Sequence, residues 1–304
     1  MFIISSPALV IAQCKAGIVG SFPSLGARTP AQLDEWLGEI TETLAAHDRD
    51  HPEFQSAPFA VNQIAHRTNA RLEGDLELCA KHGVSIIITS LGARAEIYDK
   101  AHAFGATVFH DVTTDAFGRK AVERGADGLV AVAAGAGGHA GRQSPFALVG
   151  ELRRWFKGPV VLSGAIATGD AIFAAQALGA DLAYVGSAFI ATHEAQASDE
   201  YKAMIVASSA DDIVYTDFFS GVHGNYLAPS IRMAGLDPTN LDPTAAAKMS
   251  FANGGAKVWR DVWGAGQGVG AIDAVVPASE LIARLAQEYA KAKARLLGGT
   301  SKDF

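Results

Sequence analysis

The sequence predicts a (β/α)8 barrel of the TIM type with a mainly helical insertion in its last βα connection, and three observations carry that prediction. First, helical patterns end in glycine and run at once into a short apolar segment, at Gly17-Ile18, Gly83-Val84, Gly105-Ala106, Gly125-Ala126 and Gly179-Ala180. Glycine just past a helix supplies the left-handed C′ conformation, and a run that is apolar throughout suits a parallel strand covered on both faces. Second, Ser6-Pro7, Thr29-Pro30 and Ser144-Pro145 each place a hydroxyl N-cap before proline at the first helical position. Third, the repeats add up to eight βα units in 304 residues, close to the ~250 residues typical of a barrel. A doubly wound open sheet would need a reversal of strand order and usually fewer strands.

In chain order, Met1–Ser5 reads as what remains of a first strand. The next strands are Ile18–Phe22, Phe59–Ile64, Ser85–Thr89, Thr107–Val112, Gly128–Ala133, Val160–Ser163 and Leu182–Val185. After the eighth, from His193 to about Gln267, proline and glycine break up helical stretches such as Tyr215–Pro229 and Pro238–Pro243. Pro277–Leu297 then places Leu281, Ile282, Leu285, Tyr289 and Ala292 on one face, the pattern of a last barrel helix. Residues 1–192 and 271–304 therefore make the barrel, and 193–270 make a helical lid over the C-terminal rim, where barrel active sites are built.

Composition excludes several classes of function. The chain is 49% hydrophobic with 32 glycines, and its 25 basic against 32 acidic residues give a formal charge of −7. That sign opposes a phosphate backbone or an anionic membrane, so neither nucleic acid nor membrane is an expected partner. Cys14 and Cys79 are too few for a disulfide framework and read as buried thiols in a reducing cytoplasm. The apolar N-terminal run lacks a basic leader and is interrupted by Pro7, so it is not an export signal. No His/Glu or His/Cys spacing matches a metal site.

The residues that could carry chemistry lie at predicted strand ends. Barrels commonly hold a cofactor phosphate with the loops after strands seven and eight, and here these are Ser163-Gly164-Ala165-Ile166-Ala167-Thr168-Gly169 and Gly186-Ser187-Ala188. No G-x-G-x-x-G fingerprint follows the first strand, which favours a mononucleotide such as FMN over a dinucleotide. After strand six, Ala134-Gly135-Ala136-Gly137-Gly138-His139-Ala140-Gly141-Arg142 is flat enough to lie against a planar ligand, with His139 as a proton acceptor or donor. Asn62 is a polar residue in an apolar strand, whose amide can both donate to and accept from a flavin edge. His110 and Asp111 end strand five, where they either stabilise charge on a reduced flavin or bond to each other.

Together these segments resemble the nitronate monooxygenase family, formerly 2-nitropropane dioxygenase. The resemblance rests on the Gly-Gly-His-Ala-Gly loop, Ser-Gly-Ala-Ile-Ala-Thr-Gly, Val-Gly-Ser-Ala-Phe-Ile-Ala-Thr and the late Trp263-Gly264-Ala265-Gly266-Gln267-Gly268. It implies an FMN-dependent enzyme that oxidises alkyl nitronates with O2 to carbonyl compounds and nitrite. His139 would be the base, Asn62, His110 and Gly137 would contact the flavin, and Gly164, Ala165, Gly186 and Ser187 would hold its phosphate. Family members place an Ala-Pro-Met turn against the flavin, and Met1 would match that methionine. Some members carry Lys where this chain has His110, and many have Gly-Gly at Gly164-Ala165. The same barrel group includes NAD(P)H:quinone reductases and flavin-dependent enoyl-ACP reductases, so these stand as alternatives, with a non-catalytic flavin-binding barrel after them. Substrate, use of NAD(P)H and self-association are left open by the residues.

Overall fold

The computed structural model describes residues 1–241 and 261–298. Its strands are β1 (Gly20–Pro23), β2 (Phe59–Ile64), β3 (Ile86–Ser90), β4 (Thr107–Val112), β5 (Gly128–Val132), β6 (Gly138–His139), β7 (Val160–Ser163), β8 (Leu182–Tyr184), β9 (Ile213–Thr216) and β10 (Gly224–Leu227). Seven of them form a curled, all-parallel sheet in the order β1-β2-β3-β4-β5-β7-β8. The barrel helices are α1 (Pro7–Lys15), α2 (Pro30–Asp50), α3 (Leu72–Lys81), α4 (Ala95–Ala103), α5 (Asp115–Glu123), α6 (Pro145–Arg153) and α7 (Gly169–Ala177). Beyond β8 come α8 (Ser187–Ile190), α9 (Asp199–Ala207), α10 (Ala228–Met233) and the long α11 (Ala278–Gly298). This is the TIM-type α/β architecture that the glycine punctuation predicts.

Helices α1, α2 and α6 begin at the prolines of the three hydroxyl-proline pairs. Of the three hydroxyls, Thr29 makes the cap bond, accepting from Gln32 N at 3.1 Å, while Ser6 and Ser144 make none. Proline at the first helical position, with its fixed φ, is the feature common to all three starts.

Two expectations are corrected. Met1–Ser5 is a turn and not a strand: Ser5 N donates to Met1 O at 3.0 Å and Ile3 takes φ +68°. A left-handed residue curls the segment away from the extended path that pairing requires. The sheet consequently has seven strands instead of eight. Strands β1 and β8 each pair on one side, and an apolar cavity of about 570 Å³ lies beside them, lined by Ile18, Ile88, Val161, Tyr184 and Leu285 among others. The second concerns one stretch within 193–270, Tyr215–Pro229, whose sequence reads as helical. The described part of 193–270 holds α9 and α10 and, across that stretch, the antiparallel hairpin β9–β10, which adds β6 to make a separate three-stranded sheet. The run of β-branched and aromatic residues Ile213-Val214-Tyr215-Thr216 is the local signal for it.

Strand alternation divides the core into two layers. Val61, Ile87, Val108, Leu129, Val160 and Leu162 point outward against the helices, whereas Ala60, Ile88 and Val130 point into the barrel with Phe109, Val161 and Tyr184. Among the described residues no helix is long and apolar enough to cross a membrane, and no group of three or more His, Cys, Asp or Glu is placed to hold a metal ion. Cys14 and Cys79 are free and buried.

Candidate active site

The strand-to-helix connections at the C-terminal rim surround a cavity of about 300 Å³, and glycine supplies a third of the residues that line it. The loop after β5 forms one wall. Gly135 takes φ +84°, and its carbonyl accepts from Ala165 N (3.1 Å) and from Gln267 N (2.9 Å), tying together the loop after β5, the loop after β7 and the late glycine-rich segment. Asn225 of β10 donates to Ala136 O at 2.6 Å, and Ser187 Oγ accepts from Gly266 N at 2.8 Å. Tyr201 of α9 donates to Gly264 O at 2.5 Å while its ring stacks on Trp263, 4.7 Å between centroids. The site is thus walled by backbone and cross-bonded from four parts of the chain.

Close packing explains the small residues. A Cβ on Gly137 would stand 2.8 Å from Gly266 N and 3.0 Å from Ala265 C, so the two glycine-rich segments lie backbone against backbone. At Gly164 and Ala165 the chain takes φ +142° and +55°. The second is a left-handed conformation in a residue that carries a Cβ, a cost of order 1–3 kcal/mol that persists only where the surroundings enforce it. At Gly186 the Cβ direction is open, its nearest neighbour being Met1 Sδ at 4.0 Å, so this backbone borders free volume.

Of the sequence candidates, Met1, Gly137, His139, Gly164, Ala165, Gly186 and Ser187 line this one cavity. His139 belongs to β6, and the pairing Gly224↔His139 with β10 anchors it to the insertion. Its Nε2 lies 3.0 Å from Ser220 Oγ, and burial lowers its pKa below the usual value of 6.5. The ring is therefore neutral at pH 7 and able to accept a proton.

Asn62 lies on the barrel-inward face of β2 but outside the cavity lining, donating from Nδ2 to Ile88 O (3.3 Å) and Ser90 Oγ (2.7 Å). His110 is turned the other way. It pairs in register with Leu129 of the outer layer, is 5% exposed, lies 2.7 Å through Nδ1 from Thr89 Oγ1 and meets the Tyr98 ring edge-on. Burial pushes its pKa down to about 4. The reading of His110 as a flavin contact or as Asp111's partner does not match this placement, because consecutive strand residues point to opposite faces. Asp111 is the inward one. It pairs with Val130 and accepts from Ser90 Oγ at 2.6 Å, and burial pushes its carboxyl up to about 6.

Sequence reasoning missed Ser90, Tyr184, Tyr201 and Asn225. Strand parity could have found Ser90 and Tyr184; Tyr201 and Asn225 are brought to the rim by the insertion, and no local pattern marks them. The N-terminus of α7 also departs from expectation. Thr168 caps it, and Gly169 N donates to Glu288 of α11 at 2.7 Å, so an acidic group of the protein already occupies this helix end. Among the described residues, neither lysine nor arginine lines the cavity.

A profile of the nitronate monooxygenase family matches residues 1–288. A nitronate monooxygenase of Paraburkholderia phytofirmans is 28% identical over an alignment that covers 94% of this chain and 89% of that protein. Among solved structures, FabK of Thermotoga maritima superposes with a TM-score of 0.81 at 27% identity, covering 98% of this chain and 93% of that one. Nitroalkane oxidase of Streptomyces ansochromogenes superposes with a TM-score of 0.75 at 24% identity, covering 96% and 94%, and speaks for the fold. With the match running from the turn before α1 through the first three turns of α11, the chain belongs to the nitronate monooxygenase family of oxidoreductases.

Proposed function

We propose that the rim cavity binds FMN and that the enzyme oxidises alkyl nitronates with O2 to carbonyl compounds and nitrite. The observation that carries this reading is the cavity itself, a slot walled by glycine backbone with His139 as the one imidazole among the described residues that line it. A planar tricyclic ring needs flat walls on which no side chain intrudes, and the backbone contact between the loop after β5 and Ala265-Gly266 supplies them. The open side of Gly186, beside Ser187, leaves room for a phosphate to approach backbone N–H groups; the left-handed Ala165 turns another stretch of main chain toward the same space. When bound, the flavin would supply the electron transfer between substrate and O2.

The chain's own residues do the rest. His139, neutral at pH 7, takes the α-proton where the substrate arrives as a neutral nitroalkane, and its imidazolium then faces the nitronate so formed. The β9–β10 hairpin holds its main chain, and Ser220 holds its Nε2. Tyr184 and Tyr201 border the slot as neutral phenols, Tyr184 having its pKa raised to about 12 by burial. A pyrophosphate-bearing hydride donor would need cations at the insertion. Of the basic residues there, Lys202 is buried with its Nζ on His193 O at 3.3 Å, Arg232 is exposed in the last turn of α10 and does not line the cavity, and Lys248, Lys257 and Arg260 lie outside the described residues. A compact anionic substrate needs no such cluster.

The test is anaerobic stopped-flow mixing of the FMN-loaded protein with a nitronate and, separately, with NADH and NADPH at equal concentration. Faster flavin reduction by the nitronate is expected. Bleaching by NADH without a response to nitronate would assign the chain to the reductases of the same fold.

A further inference from the structure

Two cavities meet on the side of the barrel where β1 and β8 face each other. The rim cavity and the apolar cavity of about 570 Å³ have Gln13, Ser21, Tyr184 and Val185 in common. Beyond that junction the apolar cavity runs among Ala60, Ile88, Phe109, Val130 and Val161, inward residues of β2, β3, β4, β5 and β7. No lysine or arginine among the described residues lines it. Small-molecule sites span about 300–1,000 Å³, with mostly apolar walls and a few polar groups that orient the ligand. This cavity has the size and the walls, and the junction holds the polar groups.

Gln13 of α1 is 7% exposed, and its Oε1 is buried with no hydrogen-bond partner among the described residues. A buried acceptor without a donor costs stability until something supplies the donor. Ser21 of β1 and Tyr184 of β8 bond across the gap, Oγ to hydroxyl oxygen at 2.9 Å. One of these two hydroxyls donates in that bond, which leaves the proton of the other for a further acceptor. The junction is therefore matched by a head group that donates to Gln13 and accepts from the Ser21–Tyr184 pair. A hydroxyl does both with one oxygen. A carboxylate has no proton for Gln13, and the Asp111 carboxyl lies within electrostatic reach of Tyr184, where a second anion is disfavoured.

We propose that this cavity is a binding site for a neutral, medium-length aliphatic alcohol, its hydroxyl between Gln13 and the Ser21–Tyr184 pair and its chain among the inward residues of the barrel. The chain supplies the affinity, since each methylene moved from water to such walls strengthens binding about fourfold. The junction supplies the choice of head group, since an oxygen that donates gains about tenfold over one that does not.

Isothermal titration calorimetry of the purified protein at pH 7.5 compares 1-octanol with 1-hexanol, with octanoate and with 1-methoxyheptane, which has the same heavy atoms as 1-octanol but no O–H. 1-Octanol is expected to bind at a single site, roughly tenfold or more tightly than 1-hexanol, and about tenfold more tightly than the ether or the carboxylate. The methyl resonances of Ile88 and Val130 should move as it binds. Gln13→Leu removes the orphaned oxygen at similar size, so it should keep the dependence on chain length and erase the difference between 1-octanol and the ether. Val161→Phe fills the cavity and should abolish binding. Absence of 1-octanol binding, equal affinity for 1-octanol, ether and carboxylate, or methyl shifts confined to residues outside the barrel interior would overturn the site. The methyl shifts are read on the native chain and decide the matter even where Val161→Phe does not fold. None of these readouts uses flavin, so their failure leaves the cofactor reading standing.

Discussion

Substituting Gly137 by alanine tests the claim that the cavity is walled by backbone pressed on backbone. Gly137 has no positive φ, so alanine meets no conformational strain there and the effect is steric alone. Its Cβ would lie 2.8 Å from Gly266 N, 3.0 Å from Ala265 C and 3.3 Å from Ala265 Cα. These are main-chain atoms that cannot rotate aside, and Gly266 is itself held by its N–H on Ser187 Oγ. Inserting one carbon against such atoms costs about 1–3 kcal/mol. If the strain is relieved by parting the two segments, the wall against the planar ligand opens, and since about 1.4 kcal/mol is tenfold in an equilibrium constant, FMN should bind roughly tenfold or more weakly. The internal control is Gly150→Ala in α6, where a Cβ meets nothing within 4 Å. There alanine should stabilise by about 0.5–1 kcal/mol through helix propensity and the loss of unfolded-state freedom. Thermal unfolding of both variants, with FMN titration by fluorescence, gives the signs. A Gly137→Ala protein with native melting temperature and native FMN affinity would refute the backbone-contact argument.

His139→Ala should keep the fold and the flavin yet lower turnover of a neutral nitroalkane by about 10²–10⁴-fold, with a smaller loss on a preformed nitronate; equal small effects on both would remove His139 from proton transfer. Titration of His110 and Asp111 should impose opposite slopes on stability in acid. His110 stays neutral in the fold down to about 4 against 6.5 when unfolded, so the unfolded chain binds more protons in that window and this residue's contribution rises with pH, by about 3 kcal/mol in all. Asp111 stays protonated in the fold up to about 6 against 3.8, so its contribution falls with pH from 3.8 to 6 by a similar amount. Urea unfolding between pH 4 and 6 should therefore be nearly flat for these two together, fall with pH in His110→Phe and rise with pH in Asp111→Leu; parallel slopes in both variants would contradict the assignment of the two faces.

What the sequence determined by itself is the local and periodic part of the protein. Glycine at helix ends, proline at helix starts and short apolar runs are each set within a few residues, so they disclose the βα repeat, the α/β class and the positions of the loops at Gly137, Gly164 and Gly186. The flavin-family motifs are equally local, being stretches of backbone whose small residues are required wherever they lie. Which side of a strand a residue faces is also local in principle, and alternation with Val108 and Val112 places His110 among the helices and Asp111 inside. The error there came from reading residue type before parity. Tertiary structure alone decided the rest. Met1–Ser5 curls because of how it packs at the rim, a matter its apolar composition does not settle. Asn225, Tyr201 and Ser220 reach the site only through the hairpin and helix of the insertion, contacts 63 to 89 residues apart in sequence. The hydrogen bonds from Asn62 to Ser90 and from Ser90 to Asp111 run across three strands. Hydrogen-bond direction belongs to a network rather than to a residue, and a network exists only once the chain has folded.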